Sequence, residues 1–463
     1  MPRLRTCAAL TATCLALAGG VLASAHATTA PSTSTRPSAS ASPSASARAT
    51  AVPSVATVTT PKGDSIRARQ YWLTEYGISD LWDQATGKGV TVAVIDTGVD
   101  GTHQDLKNNV SSGYDASTGT TKTKGWKGLG LEPEHGTLVA SVIAGHGHDD
   151  GTTPANPGEP GESAGMIGVA PEATILPISL EMGTAEAGAR SIDQQIPDAV
   201  RWAVDQGADI INLSVGSDKT TWPQSWDDAF TYAEEKGVVI IASAGNRGAG
   251  LTQVGAPATM PGVLTVGGVD RNRKDSQESS SQGISIAVSA PAESMIGAIP
   301  DDRYATWSGT SAAAPIVAGV AALIMEKYPD LTGEQVIQRI IESADDAGDP
   351  GRDALYGYGI LNPAKALAQN MPDDTDSNPL GSMIEWEKVH RKHSAEATES
   401  PSQAPVHEAG ETIEEVAAPQ PVRPVEDSGI LPFIILAALA LWLGIISLGT
   451  IRQLNRLVRR SRR

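Results

Sequence analysis

Between about Gln70 and Gln369 the chain alternates short apolar runs with stretches of helical periodicity, and few folds accept that rhythm. Val90 to Ile95, Thr174 to Ile178, Ile210 to Leu213, Val238 to Ala242 and Val263 to Val266 are short and uncharged, as strands covered on both faces are. Between two of these runs Ile196, Val200, Ala203 and Val204 fall on one helical face, and Gly207 supplies a C-terminal stop. Gln224 to Lys236 repeats the arrangement and ends at Gly237. Strand, helix, strand in this order predicts an α/β fold, a doubly wound parallel sheet with helices on both faces.

The segments on either side have a different texture. Residues 1–27 read as a signal peptide: Arg3 and Arg5, an apolar run from Leu10 to Leu22, and small residues at Ala25-His26-Ala27. Both cysteines, Cys7 and Cys14, would leave with it. A domain of this size buries enough surface without disulfides. Residues 28–60 are rich in Ser, Thr, Ala and Pro and are expected to form a disordered stalk. A folded domain is expected over 61–369, then an acidic, Pro-rich linker over 370–429.

Residues 430–451 are apolar and uncharged, and at about 1.5 Å per residue they span roughly 33 Å, enough to cross a bilayer. The tail 452–463 carries six arginines, which places it in the cytoplasm and the preceding chain outside the membrane. The formal charge of −18 understates the acidity of the middle. Eight of the 35 Lys and Arg lie in the two ends, leaving 27 against 53 acidic residues, a net of −26. Such a body repels nucleic acid and anionic membrane surfaces.

Four positions carry candidate chemistry. Asp96 follows the run Val90 to Ile95, at a strand's carboxyl end, where open parallel sheets gather reacting groups. His135 precedes Leu138, Val139, Val142 and Ile143, a helical spacing that holds an imidazole on a rigid element. Ser311 lies in Gly309-Thr-Ser-Ala-Ala-Ala-Pro315, ahead of an apolar run; a helix N-terminus there offers free N–H groups to a developing oxyanion. Asn246, after the run Val238 to Ala242, has a side-chain amide suited to the same charge. Singly each has an ordinary reading: a strand-end Asp caps helices, a lone His is structural, Gly-Thr-Ser is common. Together, in the order Asp, His, Asn, Ser, they point to nucleophilic catalysis.

The chain resembles the subtilisin-like serine peptidases. The resemblance rests on Val92-Ala-Val-Ile-Asp-Thr-Gly-Val99, His103-Gln-Asp-Leu106, His135-Gly-Thr-Leu-Val-Ala140, Gly168-Val-Ala-Pro171, Ile211-Asn-Leu-Ser-Val-Gly216, Ala242-Ser-Ala-Gly-Asn246 and Gly309-Thr-Ser-Ala-Ala-Ala-Pro315. It implies a subtilisin-like fold with Ser311 as nucleophile, His135 as general base and acid, and Asp96 orienting it. It also implies an oxyanion hole from Asn246 and the Ser311 N–H. By the same resemblance Ser214, Val215 and Gly216 pair with a peptide substrate as an added strand, and Ala244, Gly245 and Gly255 line the pocket for the residue before the cut.

Leu138 and Ala312 replace the His and Met common in the family beside the catalytic residues; both are apolar and are not expected to disable the site. No cofactor or metal is expected. Calcium is the one ion the resemblance leaves open, because Asp105 matches one calcium-ligand position while its partners are not recognisable. His146, His148, Asp149 and Asp150 read as a solvated loop rather than a metal site, since no second cluster completes a shell. His103 follows Asp96 within a turn. The segment Gln70 to Ile78 is expected to lie against the core, because the Ser/Thr/Pro stretch before it cannot form a folded propeptide.

The layout of signal, catalytic block, acidic linker, single span and short basic tail resembles the mycosins, membrane-anchored subtilases of type VII secretion systems. It implies a protein or peptide substrate and a membrane secretion complex as partner. Two other readings stay open: a general surface-anchored protease acting on environmental or cell-wall proteins, and a structural subunit of a secretion complex whose proteolysis is dispensable.

Overall fold

The computed structural model describes residues 56–57, 64–153, 159–183, 189–369, 375 and 377–391. Its strands are β1 (Ala56–Thr57), β2 (Thr91–Asp96), β3 (Tyr114–Asp115), β4 (His146–His148), β5 (Ala164–Ile167), β6 (Thr174–Ser179), β7 (Ile210–Leu213), β8 (Val239–Ser243), β9 (Leu264–Val269), β10 (Ile286–Pro291), β11 (Met295–Ile299) and β12 (Arg303–Trp307). The α-helices are α1 (Tyr71–Glu75), α2 (His135–Ala144), α3 (Ile192–Asp205), α4 (Asp227–Glu235), α5 (Thr310–Lys327), α6 (Gly333–Glu342), α7 (Pro363–Ala366) and α8 (Met383–His390).

Seven strands form one parallel sheet in the order β10-β9-β8-β7-β2-β6-β3. The five apolar runs are β2, β6, β7, β8 and β9; β7 has the bounds read from the sequence, and the ends of the others move by at most three residues. Side chains alternate faces along a strand, and here both faces are covered. Val92 and Val94 join the apolar cluster that holds Val139 and Ile143 of α2 and Ala313, Val317 and Val320 of α5. Ala93 and Ile95 join the other cluster, with Ile196 and Val200 of α3 and Phe230 of α4. Gly207 and Gly237, with φ of 79° and 70°, stop the α3 and α4 segments in the left-handed region. The stretch read as one helix from Gln224 starts as a 3-10 turn, Gln224–Trp226, and becomes α-helical at Asp227.

Helix α5 is apolar and long enough to cross a membrane, but 78% of it is buried inside the domain, where both its neighbours and its burial make it a core helix. The signal segment, most of the stalk and the 430–451 run lie outside the described residues. The Gln70 side chain bonds both backbone groups of Ile167, accepting from the N–H at 3.1 Å and donating to the carbonyl at 2.5 Å, and Trp72 is fully buried. The segment from Gln70 to Ile78 therefore packs on the core.

Two expected boundaries move. Ala56–Thr57, placed in the stalk by composition, pairs antiparallel with Thr306 and Ala305 of β12, whose outer edge offers unpaired backbone groups. On the C-terminal side, part of the segment read as linker is helix α8. Ser382 caps it by accepting from the Glu385 N–H at 3.1 Å, and Met383 is buried against the α3–α4 side of the sheet. Burying a side chain of that size stabilises by about 1.5–3 kcal/mol.

Candidate active site

Asp96 ends β2 and is fully buried. Its Oδ1 and Oδ2 lie 2.8 and 3.0 Å from His135 Nδ1. A carboxylate only accepts, so Nδ1 carries the proton and Nε2 is left with its lone pair. The Asp96 turn and the start of α2 are tied together: Thr97 Oγ1 accepts from the Gly136 N–H at 3.0 Å, and Thr137 Oγ1 accepts from the Asp100 N–H at 3.0 Å. Gly98 has φ of 117°, and a Cβ there would sit 2.3 Å from the Lys127 carbonyl oxygen. Trp307 covers the imidazole edge-on, ring centroids 5.6 Å apart.

Burial lowers the pKa of His135. The Asp96 charge and hydrogen bond, with Glu132 and Glu134 nearby, outweigh that effect, and the net shift is upward from the ordinary histidine value. An imidazole held in one tautomer beside a buried carboxylate can take a proton on Nε2 and keep the resulting charge compensated.

Ser311 stands in the first turn of α5. Its Oγ donates to the Ser214 carbonyl at 3.2 Å, and Ser214 Oγ donates to the Ser311 carbonyl at 3.0 Å. Sheet register explains how Ser214 meets the rest of the site. Val94 of β2 faces Asn212 of β7, so Asp96 and Ser214, two residues on, emerge side by side at the carboxyl ends of adjacent strands. Asn246 reaches the same place from β8. Its Oδ1 accepts from the Thr310 N–H at 2.9 Å and lies 3.1 Å from Thr310 Oγ1. With the oxygen engaged, Nδ2 is the free end of the amide. A Cβ on Gly309 would lie 3.0 Å from that nitrogen, so glycine keeps the space beside it open.

Ser214 and Val215 are buried, and Gly216 is exposed with open space where a Cβ would stand, a backbone edge reachable by an extended peptide. Ala244 is buried, and Gly245 (φ 97°) exchanges bonds with Thr310 Oγ1, N–H to hydroxyl at 2.9 Å and hydroxyl to carbonyl at 3.0 Å. A Cβ on Gly255 would collide with the Ser217 carbonyl oxygen at 1.9 Å. The structure thus pairs Asp96 with His135, brings Ser311 to Ser214, and brings Asn246 and Gly245 to Thr310. Thr97, Thr310 and Trp307 went unremarked as parts of the site. Thr310, between the glycine and serine of its motif, and Thr97, between the aspartate and glycine of its own, stood where a motif could have flagged them; Trp307 lies in none.

Asp105 does not fit calcium, which takes 6–8 oxygen ligands. The carboxylate is fully buried and its partners are donors: His148 Nδ1 at 2.6 Å, the Met166 N–H at 2.7 Å and the Tyr304 hydroxyl at 2.7 Å. His148 is not free in a solvated loop as expected, because β4 pairs with β5 and carries it onto Asp105. His146 is buried, which lowers its pKa. His103 is buried too, accepting from the Asp105 N–H on Nδ1 at 3.1 Å and lying 3.2 Å from the Arg303 carbonyl through Nε2. Among the described residues no group of three His, Cys, Asp or Glu is arranged to hold a metal.

Residues 87–359 match the model of the subtilase family of peptidases. This chain belongs to the subtilase family. It is a subtilisin-like serine peptidase, and its relatives are named accordingly. Subtilisin DY of Bacillus licheniformis is 36% identical over 287 residues, covering 61% of this chain and 92% of that protein. Fervidolysin of Fervidobacterium pennivorans is 31% identical over 351 residues, 69% of this chain, but the match spans only 46% of fervidolysin. Among solved structures, MycP1 from Mycobacterium smegmatis superposes with a TM-score of 0.56 at 28% identity, covering 71% of this subtilase and 92% of that chain. Another structure of MycP1, 30% identical with a TM-score of 0.55 over 69% of this chain and 93% of that one, describes it as a serine protease and an essential component of the type VII (ESX-1) secretion system.

Proposed function

We propose that this subtilase is a membrane-anchored extracytoplasmic endopeptidase that cleaves peptide bonds through an acyl-enzyme and serves type VII protein secretion. The observation that carries the chemistry is the buried Asp96 carboxylate holding His135 by Nδ1, which leaves Nε2 as the base. Ser311 Oγ turns from the Ser214 carbonyl toward Nε2, gives up its proton and attacks the substrate carbonyl carbon. Negative charge gathers on the carbonyl oxygen, where Asn246 Nδ2 and the Ser311 N–H at the α5 N-terminus donate to it. The imidazolium, compensated by Asp96, returns the proton to the leaving amine, and water repeats the sequence to release the acyl group. The substrate backbone lies along Ser214–Gly216, with the side chain before the cut against Ala244, Gly245 and Gly255.

The secretion role draws support from the MycP1 likeness, which covers 92% of the chain in that solved structure. The anchor draws support from the 430–451 run and the arginines after it. Labelling of the full-length protein by a fluorophosphonate probe tests the chemistry. Labelling should vanish in Ser311→Ala and slow in Asn246→Ala; labelling that survives Ser311→Ala refutes the assignment. The secretion role is tested by deleting the gene in its host and restoring either the wild type or Ser311→Ala. Loss of type VII export on deletion is expected. Restoration by Ser311→Ala would make proteolysis dispensable and favour a structural subunit, and unchanged export on deletion would leave a general surface protease.

A further inference from the structure

The wall that follows Ser214 is held from outside the catalytic core. Between the end of β7 and Gln224 the chain has no helix or strand, so its shape depends on what grips it. At its near end Ser217 Oγ donates to the Ala256 carbonyl at 3.0 Å, and the Lys219 carbonyl accepts from the Ala256 N–H at 2.7 Å. The loop and the Gly255–Ala256 segment are therefore one wall.

At its far end stands Trp222. Its ring centroid lies 4.7 Å from that of Trp386 in α8, and its indole N–H donates to Asp227 Oδ1 at 2.8 Å. The other oxygen of that buried carboxylate accepts from Arg391 Nε at 2.6 Å, and the Arg391 guanidinium lies 5.0 Å over the Trp386 ring. One carboxylate thus joins the loop to the C-terminal segment. The segment has its own footing: Glu234 of α4 accepts from the N–H groups of Met383 and Ile384 at 2.7 and 3.2 Å, and Asn378 donates to the Gly262 carbonyl at 2.9 Å.

We infer that the segment from Asn378 to Arg391 is a clasp on the substrate pocket, in which Trp386 and Arg391 are positioning residues that fix the loop from Ser217 to Trp222 and so set which side chain is accepted before the cut. The inference rests on the proposed assignment of Ser214–Gly216 and Gly255 to the substrate. A rigid apolar pocket discriminates by about 10–200-fold per methylene. With its far end released, the wall widens and that discrimination falls, while the triad is left in place.

The test uses the full-length protein and a peptide series differing only in the residue before the cut. Trp386→Ala and Arg391→Gln should each compress the spread of kcat/KM across the series at least threefold, with fluorophosphonate labelling within about twofold of wild type. Val389→Ala, on the exposed side of α8, should change neither. A merely structural role would lower all peptides equally, and an unchanged spread in both clasp variants overturns the inference. Ala244→Gly, at a residue placed against the side chain before the cut, reports on the pocket assignment itself. If it alters the spread while the clasp variants do not, the clasp is wrong and the pocket stands. If none alters it, the pocket assignment has failed and the clasp falls with it. Should Trp386→Ala fail to accumulate, Arg391→Gln, which removes the ion pair and leaves the two indoles in contact, decides alone.

Discussion

Thr310→Val probes how the Asn246 amide, the proposed oxyanion donor, is aimed. The change keeps side-chain shape and removes one fully buried hydroxyl. That hydroxyl accepts from the Gly245 N–H at 2.9 Å and lies within hydrogen-bond reach of the Gly245 carbonyl and Asn246 Oδ1 at 3.0 and 3.1 Å. Stranding the Gly245 N–H should destabilise by about 1–3 kcal/mol. Asn246 Oδ1 keeps its bond from the Thr310 N–H at 2.9 Å, so the amide is loosened rather than released. Removing such a donor outright lowers turnover about 10²–10³-fold, a magnitude measured in a member of this same family. Loosening it should forfeit roughly half of that free energy, about 1.4–2 kcal/mol, or 10–30-fold in kcat. The assay is kcat on a saturating peptide substrate, with melting temperature alongside, in the wild-type and Asn246→Ala backgrounds. Stability should fall equally in both, but kcat should fall only where Asn246 is present. Equal loss of kcat in both backgrounds would refute the positioning argument.

With His135 as the proposed base, its upward pKa shift places the acidic limb of the kcat/KM profile above the ordinary histidine value of about 6.5, because that base must be neutral to work; a limb at or below that value contradicts the pairing with Asp96. The same shift makes the pair's contribution to stability fully present below the unfolded-state pKa, and it is lost as pH rises through the raised folded value, which melting in Ser311→Ala across that range can follow. Gly98→Ala combines a left-handed φ with a contact at 2.3 Å and should lose at least 2 kcal/mol, about the strain of the backbone alone; a denaturant midpoint equal to wild type would be inconsistent. Since the Asp105 oxygens are already taken by three donors, EDTA or added calcium should leave the melting temperature unchanged, and a calcium-dependent rise would show an oxygen cage at another place.

What was legible in the chain was what is written locally. Asp96 closes an uncharged run, His135 opens a helical spacing and Ser311 precedes a long apolar stretch; each signal lies within a few residues of the group it marks, and each element formed where it was read. Contacts between distant segments were not legible. Thr97 and Thr310 look like ordinary turn residues until Gly136 and Asn246 arrive at their hydroxyls. Helix α8 is hidden for a related reason. It is short and surrounded by Glu and Pro, and its apolar side chains acquire meaning only against Trp222 and the sheet face beneath. His148 likewise reads as a loop histidine because the carboxylate it meets, Asp105, lies far back in the chain.

Strand order was the largest part left unwritten, and it decides where chemistry can occur. From β2 the chain builds β6 on one flank and then crosses to lay β7, β8 and β9 on the other. Loops leaving β6 and β7 therefore diverge, and a crevice opens beyond the carboxyl end of β2, as it does wherever an open parallel sheet reverses its direction of winding. Asp96 ends β2 at that crevice, and Ser214 follows β7 on its neighbouring side, two positions past the register Val94–Asn212. Ser214 meets Ser311, and Asp96 meets His135, so two contacts that share no motif become one site through a single strand adjacency. Had β7 been laid outside β6, each motif would have formed its local structure equally well and the serine would have stood at least one strand spacing, about 4.8 Å, farther from its proposed base.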